Sequence, residues 1–281
     1  MILSRFVRQS LLMLCLAMVV AVAFTQVAVS AEYQPMVGQA GKDVVWVPTC
    51  QQLVDTMLDL AKVTPEDYVI DLGSGDGRTV ITAAKRGARA LGIEYNPDMV
   101  ALSKSNVAKE GIGGKAQFVH GDIFESDFTQ ASVITMFLLP ELNMKLRPQI
   151  LSLKPGTRIV SNTFTMEDWE PEQTVIVKDR TDCGDYYTAL FWIVPAKVEG
   201  AWKLPQGDLT LKQSFQTFSG TLKSGAKTVP VTNGKLTGDA ISFSVGNGRY
   251  TGRVSGNTMQ GNLESGGNST KWTATRIGKA L

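Results

Sequence analysis

The chain predicts an α/β fold on a mostly parallel sheet, followed by a small all-β antiparallel C-terminal module, and three observations carry this. Between Asp67 and Pro195, short β-branched runs alternate with longer helix-compatible stretches. Beyond Lys197 helical periodicity stops, and 14 of the 27 glycines fall in the last 84 residues. The charge balance reverses at the same place, with 16 basic against 22 acidic side chains from Glu32 to Lys197 and 10 against 4 from Val198 to Leu281. Two regions of opposite sign read as two modules, 32–197 and 198–281, behind an N-terminal segment 1–31.

That segment has the composition of an export signal. Arg5 and Arg8 make a basic start, Leu11 to Phe24 are all apolar, and Val29, Ser30 and Ala31 offer small residues for cleavage before Glu32. An uncleaved membrane anchor competes, because no charge separates Arg8 from Glu32. In both readings the two arginines stay on the cytoplasmic side and the rest is exported, periplasmic or otherwise extracytoplasmic; in the second it keeps a membrane association through residues 1–31. Cys15 lies inside the apolar stretch. Cys50 and Cys183 either pair in an oxidising compartment or remain two buried thiols.

Within the α/β region, Tyr68–Leu72 is the first strand and Arg78–Arg86 its helix. Arg89–Tyr95 is the second strand, and Asn96, Pro97 and Asp98 cap a helix running to Glu110, where Gly111–Gly114 break it. Ala116–His120, Ala131–Leu138 and Thr157–Phe164 are strands three to five, with a helix Asn143–Leu153 between the last two. Thr174–Lys178 and Tyr186–Val194 have no crossover helix between them, so the sheet ends antiparallel. In the last module, runs such as Ile241–Val245 and Lys271–Arg276 alternate with turn signals at Asn233-Gly234, Gly238-Asp239, Gly246–Gly248, Ser255–Asn257 and Gly266–Asn268. This is an antiparallel meander, with a small barrel as its closed form. Trp202, Phe215, Phe218, Phe243, Tyr250, Met259, Leu263 and Trp272 give its hairpins something to bury.

The chemistry concentrates at the strand ends. A strand ending in Asp71 runs into Gly73, Ser74, Gly75, Asp76 and Gly77, a tight turn whose missing side chains let a nucleoside lie against the backbone. Glu94, followed by Tyr95, closes the second strand near the spacing at which a carboxylate accepts from ribose hydroxyls. Asp122 follows the third strand, where it suits an adenine amino group while apolar neighbours such as Ile123 sandwich the ring. A dinucleotide is disfavoured, because Arg78 stands where the last glycine of that fingerprint belongs and Asp76 would face a pyrophosphate. S-Adenosyl-L-methionine (SAM) has no phosphate and carries cationic sulfonium and amino groups, so an acidic loop suits it. His120 is the only histidine and reads as structural rather than as a general base. No Cys/His cluster has metal-ligand spacing, so no metal is expected.

With these motifs in view, Val69–Arg78, Gly92–Glu94 and Gly121–Asp122 resemble the first three motifs of class I SAM-dependent methyltransferases, a family with a Rossmann-like sheet; the resemblance runs from Val47 to Pro195. Val47–Thr49 and Phe164–Pro171, with Trp169, are similar to small seven-strand lysine methyltransferases of organelles and bacteria. Phe137–Glu141 and Gly156–Ser161 echo the nucleosomal lysine methyltransferases that lack a SET domain. The resemblance implies Thr49 near the methionine end of SAM and Phe137–Glu141 near the methyl group. Phe137–Pro140 departs from the Asn/Asp-Pro-Pro-Tyr/Phe motif of methyltransferases acting on adenine or glutamine amino groups. Glu141, Asn143, Asn162 and Trp169 are the acceptor-side candidates, since they follow the fourth and fifth strands.

The expected function is therefore methyl transfer from SAM to a protein, lysine included, or to a small-molecule nitrogen. An exported, non-catalytic protein that keeps a nucleoside pocket and binds partners through the β module is the alternative, and aminopropyl transfer is a third. The basic β module has no basic and aromatic cluster of the kind that binds nucleic acid, so docking or recruitment of an acceptor is expected of it.

Overall fold

The first element of the computed structural model, which describes residues 33–277, is a helix that the sequence did not announce, α1 (Gln51–Leu60). Its buried Leu53, Val54, Met57 and Leu58 make one stripe at helical spacing and share a core cluster with Val160, Ala189 and Phe191 of the sheet. Residues 1–31, read as signal or anchor, lie outside the described residues. Contacts divide the chain into Met1–Gln34 and Pro35–Leu281, and all elements below belong to the second unit.

The sheet follows as β1 (Tyr68–Leu72), α2 (Arg78–Lys85), β2 (Arg89–Glu94), α3 (Pro97–Glu110), β3 (Ala116–His120), β4 (Val133–Met136), α4 (Pro140–Ile150), β5 (Arg158–Asn162), β6 (Gln173–Ile176) and β7 (Thr188–Ile193). Its order is β3-β2-β1-β4-β5-β7-β6. β1 to β5 are parallel, and β7 runs antiparallel to both β5 and β6, the ending expected from the missing crossover. Val69 to Leu72 are all buried, as a central strand covered on both faces requires. The chain moves from β1 to one side and returns to place β4 on the other, so the strand order reverses at the carboxyl ends of β1 and β4. Ligands of open α/β sheets bind at such a point.

Local rules explain the helix ends. Asn96 caps α3 by accepting from the Asp98 amide at 2.9 Å, Pro97 takes the first turn, and Gly111 ends the helix in the left-handed region with φ 68°. Helix α4 departs from expectation, running Pro140–Ile150 instead of Asn143–Leu153. Pro140 enters at the first helical position, where a missing N–H is harmless and φ is already helical, and Pro148 falls in the last turns.

The second module is a closed barrel of eight antiparallel strands: β8 (Gly200–Leu204), β9 (Gly207–Ser214), β10 (Thr217–Ser224), β11 (Lys227–Thr237), β12 (Ala240–Val245), β13 (Gly248–Ser255), β14 (Thr258–Ser265) and β15 (Asn268–Ile277). β15 pairs with β8 to close it, which removes the free edges of a meander. Trp202, Phe243, Met259 and Trp272 fill the interior, with Phe243 stacked on Tyr250 at 4.6 Å between ring centroids. Four of the expected turns join neighbouring strands, but Asn233-Gly234 does not. It is a bulge inside β11, where a Cβ on Gly234 would lie 2.1 Å from the Phe218 carbonyl oxygen.

The barrel is seated on the loop after β5. Phe215, in the β9–β10 turn, stacks on the buried Trp169 ring at 5.8 Å and lies beneath the Arg147 guanidinium. The Ala196 amide donates to the Gly238 carbonyl at 2.8 Å, and Gln216 Nε2 donates to the Glu170 carbonyl at 2.9 Å. Lys235 pairs with Glu172 at 3.1 Å, so the opposite charges of the modules meet across the seam. Phe215→Ala should lower the stability of the full chain by about 2 kcal/mol through the lost stack and the space left behind. Urea unfolding with the midpoint unchanged would show that this contact does not hold the seam.

Candidate functional site

Glu94 ends β2 with both carboxylate oxygens engaged by backbone. Oε2 accepts from the Gly75 amide at 2.9 Å and Oε1 from the Asn96 amide at 2.8 Å, tying the turn after β1 to the start of α3. The amides of Gly73 and Ser74 donate to the Ile93 carbonyl at 2.9 and 3.1 Å, which folds that turn back over β2. Gly73 and Gly75 take positive φ, and a Cβ on Gly75 would lie 2.7 Å from Trp46 Nε1. The turn thus exposes backbone to a cleft between the carboxyl ends of the strands.

Asp71 lies beneath the turn, buried, with Thr135 Oγ1 of β4 donating to its Oδ1 at 2.6 Å. Burial pushes its pKa up to about 7; the Thr135 bond opposes this, and the negative charges of Glu94 and Asp76 reinforce it. Asp76 is not the bare charge that the sequence suggested. Arg78 Nη2 pairs with it at 2.6 Å, while Arg78 Nη1 donates to the Thr49 carbonyl at 2.8 Å.

A segment that carried a sequence signal only at its end, Val47–Thr49, forms another wall. The Gly38 amide donates to the Trp46 carbonyl at 2.8 Å, the Trp46 amide to Gln39 at 2.9 Å, and Ala40 bridges Val45, making a strap whose residues 39–49 line the cleft. From it Lys42 reaches the Asp122 carboxylate and sits 4.7 Å from the Tyr95 ring centroid. Lys42 therefore engages the carboxylate expected to meet an adenine amino group, and its hydrogen bond holds the Asp122 carboxyl below the usual range. A spare oxygen lone pair on Asp122 still suits an amino donor.

On the β4–β5–β7 side three rings meet. Phe137 follows β4, Phe164 follows β5 and Tyr186 precedes β7, with centroids 5.0 Å apart for Phe137–Tyr186, 5.9 Å for Phe137–Phe164 and 5.8 Å for Phe164–Tyr186. Thr49 stands in the same wall and accepts from Asn162 Nδ2 at 3.2 Å. Cys50 and Cys183 form a disulfide, so the alternative of two separate thiols is overturned. Folding brings the two segments within 4.9 Å at Cα although 133 positions separate them.

Thr49, Asp71, Gly73, Ser74, Gly75, Asp76, Glu94, Tyr95, Asp122, Ile123 and Phe137 line one cleft. Gly77 does not. It is the left-handed N-cap of α2, and a Cβ there would lie 2.5 Å from the Phe118 ring, so its smallness serves packing. The four acceptor-side candidates also fall off the wall. Glu141 is exposed on α4; Asn143 is buried and holds the Thr165 carbonyl at 3.0 Å; Asn162 stands behind Thr49. Trp169 is buried in the seam with the barrel. His120 does not line the cleft either, and its ring lies 5.8 Å from Tyr95.

The wall fits an adenosyl sulfonium on two counts: carboxylates stand at successive strand ends, and Ser74 Oγ is buried there with no partner.

Comparison with known proteins agrees with this geometry. A family model described as the ANTKMT methyltransferase domain matches residues 71–173. A protein-lysine N-methyltransferase of Saccharolobus islandicus is 44% identical over 139 residues, covering 48% of this chain and 86% of that protein. The adenine nucleotide translocase lysine N-methyltransferase of Mus musculus is 30% identical over 141 residues, 50% of this chain and 60% of that protein. Among solved structures, an RNA methyltransferase from Salinibacter ruber in complex with S-adenosyl-L-homocysteine shares 42% identity at a TM-score of 0.50, covering 54% of this chain and 96% of that one.

The buried carboxyl gives the unliganded fold a pH signature. Folded Asp71 keeps its proton to about pH 7, whereas unfolded Asp loses it near pH ~3.9, so unfolding between these values releases a proton. Stability should therefore rise as pH falls from 7 toward 5, by up to about 1.4 kcal/mol per pH unit from this group. Asp71→Asn should flatten that slope in urea titrations; an unaltered slope would remove Asp71 as its source.

Proposed function

We propose, for a chain that belongs to the class I SAM-dependent methyltransferases of the ANTKMT type, that it methylates the ε-amino group of a lysine in a protein. The observation that carries this reading is the cluster of Phe137, Phe164 and Tyr186 on the wall of the SAM cleft. An alkyl chain ending in an amine suits an aromatic passage, whose rings cover its methylenes. The naming of two similar proteins as lysine methyltransferases supports the same acceptor.

SAM supplies an activated methyl group on a sulfonium that leaves as a neutral thioether. The glycine turn, Ser74, Glu94 and Asp122 are assigned to the adenosyl moiety, with Tyr95 and Ile123 beside the base. Asp71 and Thr49 face the cationic amino-acid end. Phe137, Phe164 and Tyr186 exclude water, which favours the neutral, nucleophilic amine over the ammonium, and they align its lone pair with the methyl carbon. This alignment replaces a general base, consistent with a cleft wall that contains no histidine.

RNA is the second acceptor class to consider, because the Salinibacter ruber relative is described as an RNA methyltransferase. The excess of six acidic side chains across Glu32–Lys197 disfavours a polyanion at this cleft. For location we propose export, supported by the basic and apolar start of the chain and by the Cys50–Cys183 disulfide. The barrel, seated on the loop after Phe164, is assigned to orienting or recruiting the acceptor.

Labelled SAM incubated with the full chain and a cell-envelope extract should leave label that is sensitive to protease, resistant to ribonuclease and recovered as methyl-lysine after hydrolysis. Label on RNA would overturn the acceptor. Phe137→Ala should cut kcat/KM about 10- to 100-fold while changing the SAM Kd less than about threefold, and Glu94→Ala should weaken SAM at least about tenfold. Since a cation favours ionised Asp71, whose pKa lies at about 7 without it, SAM should bind more tightly at pH 8 than at pH 6. Calorimetry checks this, and a pH-independent Kd would remove Asp71 from the cationic end.

A further inference from the structure

The Tyr186 ring is delivered to the cleft by a segment with few anchors. Residues 178–185, between β6 and β7, are exposed except for Cys183. The segment's hydrogen bonds are local: the Cys183 amide donates to Arg180 at 3.0 Å, the Tyr186 amide to Cys183 at 3.1 Å, and the Val177 amide to Tyr187 at 3.0 Å across its base. Its long-range ties are the ring contacts of Tyr186, the packing of Cys183 and Tyr187 on the core cluster beside α1, and the bond from Cys183 to Cys50. Cys50 follows Thr49, itself held by Asn162 and Arg78. One covalent bond therefore joins two walls of the cleft, three residues from Tyr186 on one side and one from Thr49 on the other.

We propose that the Cys50–Cys183 disulfide is a redox-sensitive positioning bond for the acceptor end of the site. Oxidised, it holds Tyr186 against Phe137 and Phe164; reduced, it frees residues 178–187 and methyl transfer falls while cofactor binding persists. The consequence for transfer rests on the lysine reading above. Reduction requires an external dithiol. Its thiolate attacks Cys183 Sγ, the S–S bond breaks, and Cys50 leaves as a thiolate that is protonated. The second thiol then resolves the mixed disulfide and releases Cys183. Two electrons and two protons pass to the protein, and the dithiol becomes a disulfide. The glycine turn, Glu94 and Asp71 belong to other elements, so the adenosyl end does not depend on this bond.

The test compares the oxidised full chain, the same chain treated with dithiothreitol, and the double variant Cys50→Ser with Cys183→Ser. Amide exchange with S-adenosyl-L-homocysteine bound should rise about tenfold or more over residues 178–187 in the last two, and stay unchanged over 71–78. Calorimetry should give S-adenosyl-L-homocysteine Kd values within about threefold of one another, which also certifies that the double variant is folded. Transfer to poly-L-lysine should fall about tenfold or more, and the double variant should ignore dithiothreitol. Unchanged exchange over 178–187, equal transfer by reduced and oxidised chains, or parallel loss of S-adenosyl-L-homocysteine binding would each overturn the proposal. If the oxidised chain methylates no lysine, the acceptor reading fails by itself, and the exchange measurement still decides whether the bond positions Tyr186.

Discussion

The carboxylate of Glu94 holds the backbone amides of Gly75 and Asn96 from opposite sides, and the site follows from that bridge. It fixes the height of the turn above the sheet, so the turn must pass where a side chain would strike Trp46, and glycine is required at position 75. Burial beneath the same turn makes Asp71 a carboxyl that retains its proton near neutrality. A single interaction between a strand end and a turn thus sets backbone shape, electrostatics and access together.

Around this rigid centre the cleft is completed from segments that the sheet does not constrain. The 39–49 strap places Trp46 beside the turn and Lys42 on Asp122, and the segment before β7 contributes Tyr186. The disulfide ties the end of the strap to that segment, while the barrel supports the loop that follows Phe164 through the Trp169–Phe215 stack. The side proposed for the adenosyl moiety is built from motif residues at strand ends, whereas the side proposed for the acceptor is built from connections held by covalent and tertiary contacts. Segments held by few buried contacts are the ones whose positions chemistry can change.

The chain by itself determined what depends on neighbours in sequence. Periodicity and turn residues marked the strands, the antiparallel ending and the barrel hairpins, because the pleat and the left-handed turn impose those residue types locally. The glycine turn with Glu94 and Asp122 was readable for the same reason: β1, β2 and β3 neighbour one another in the sheet, so spacing along the chain becomes proximity in space. Tertiary structure alone decided the rest. It turned Gly77 toward Phe118, hid Trp169 in the barrel seam, placed Asn162 behind Thr49, neutralised Asp76 with Arg78, and paired Cys50 with Cys183. None of these follows from local pattern, because each depends on which face of an element meets a partner from a distant part of the chain, and packing makes that choice only when the whole fold closes.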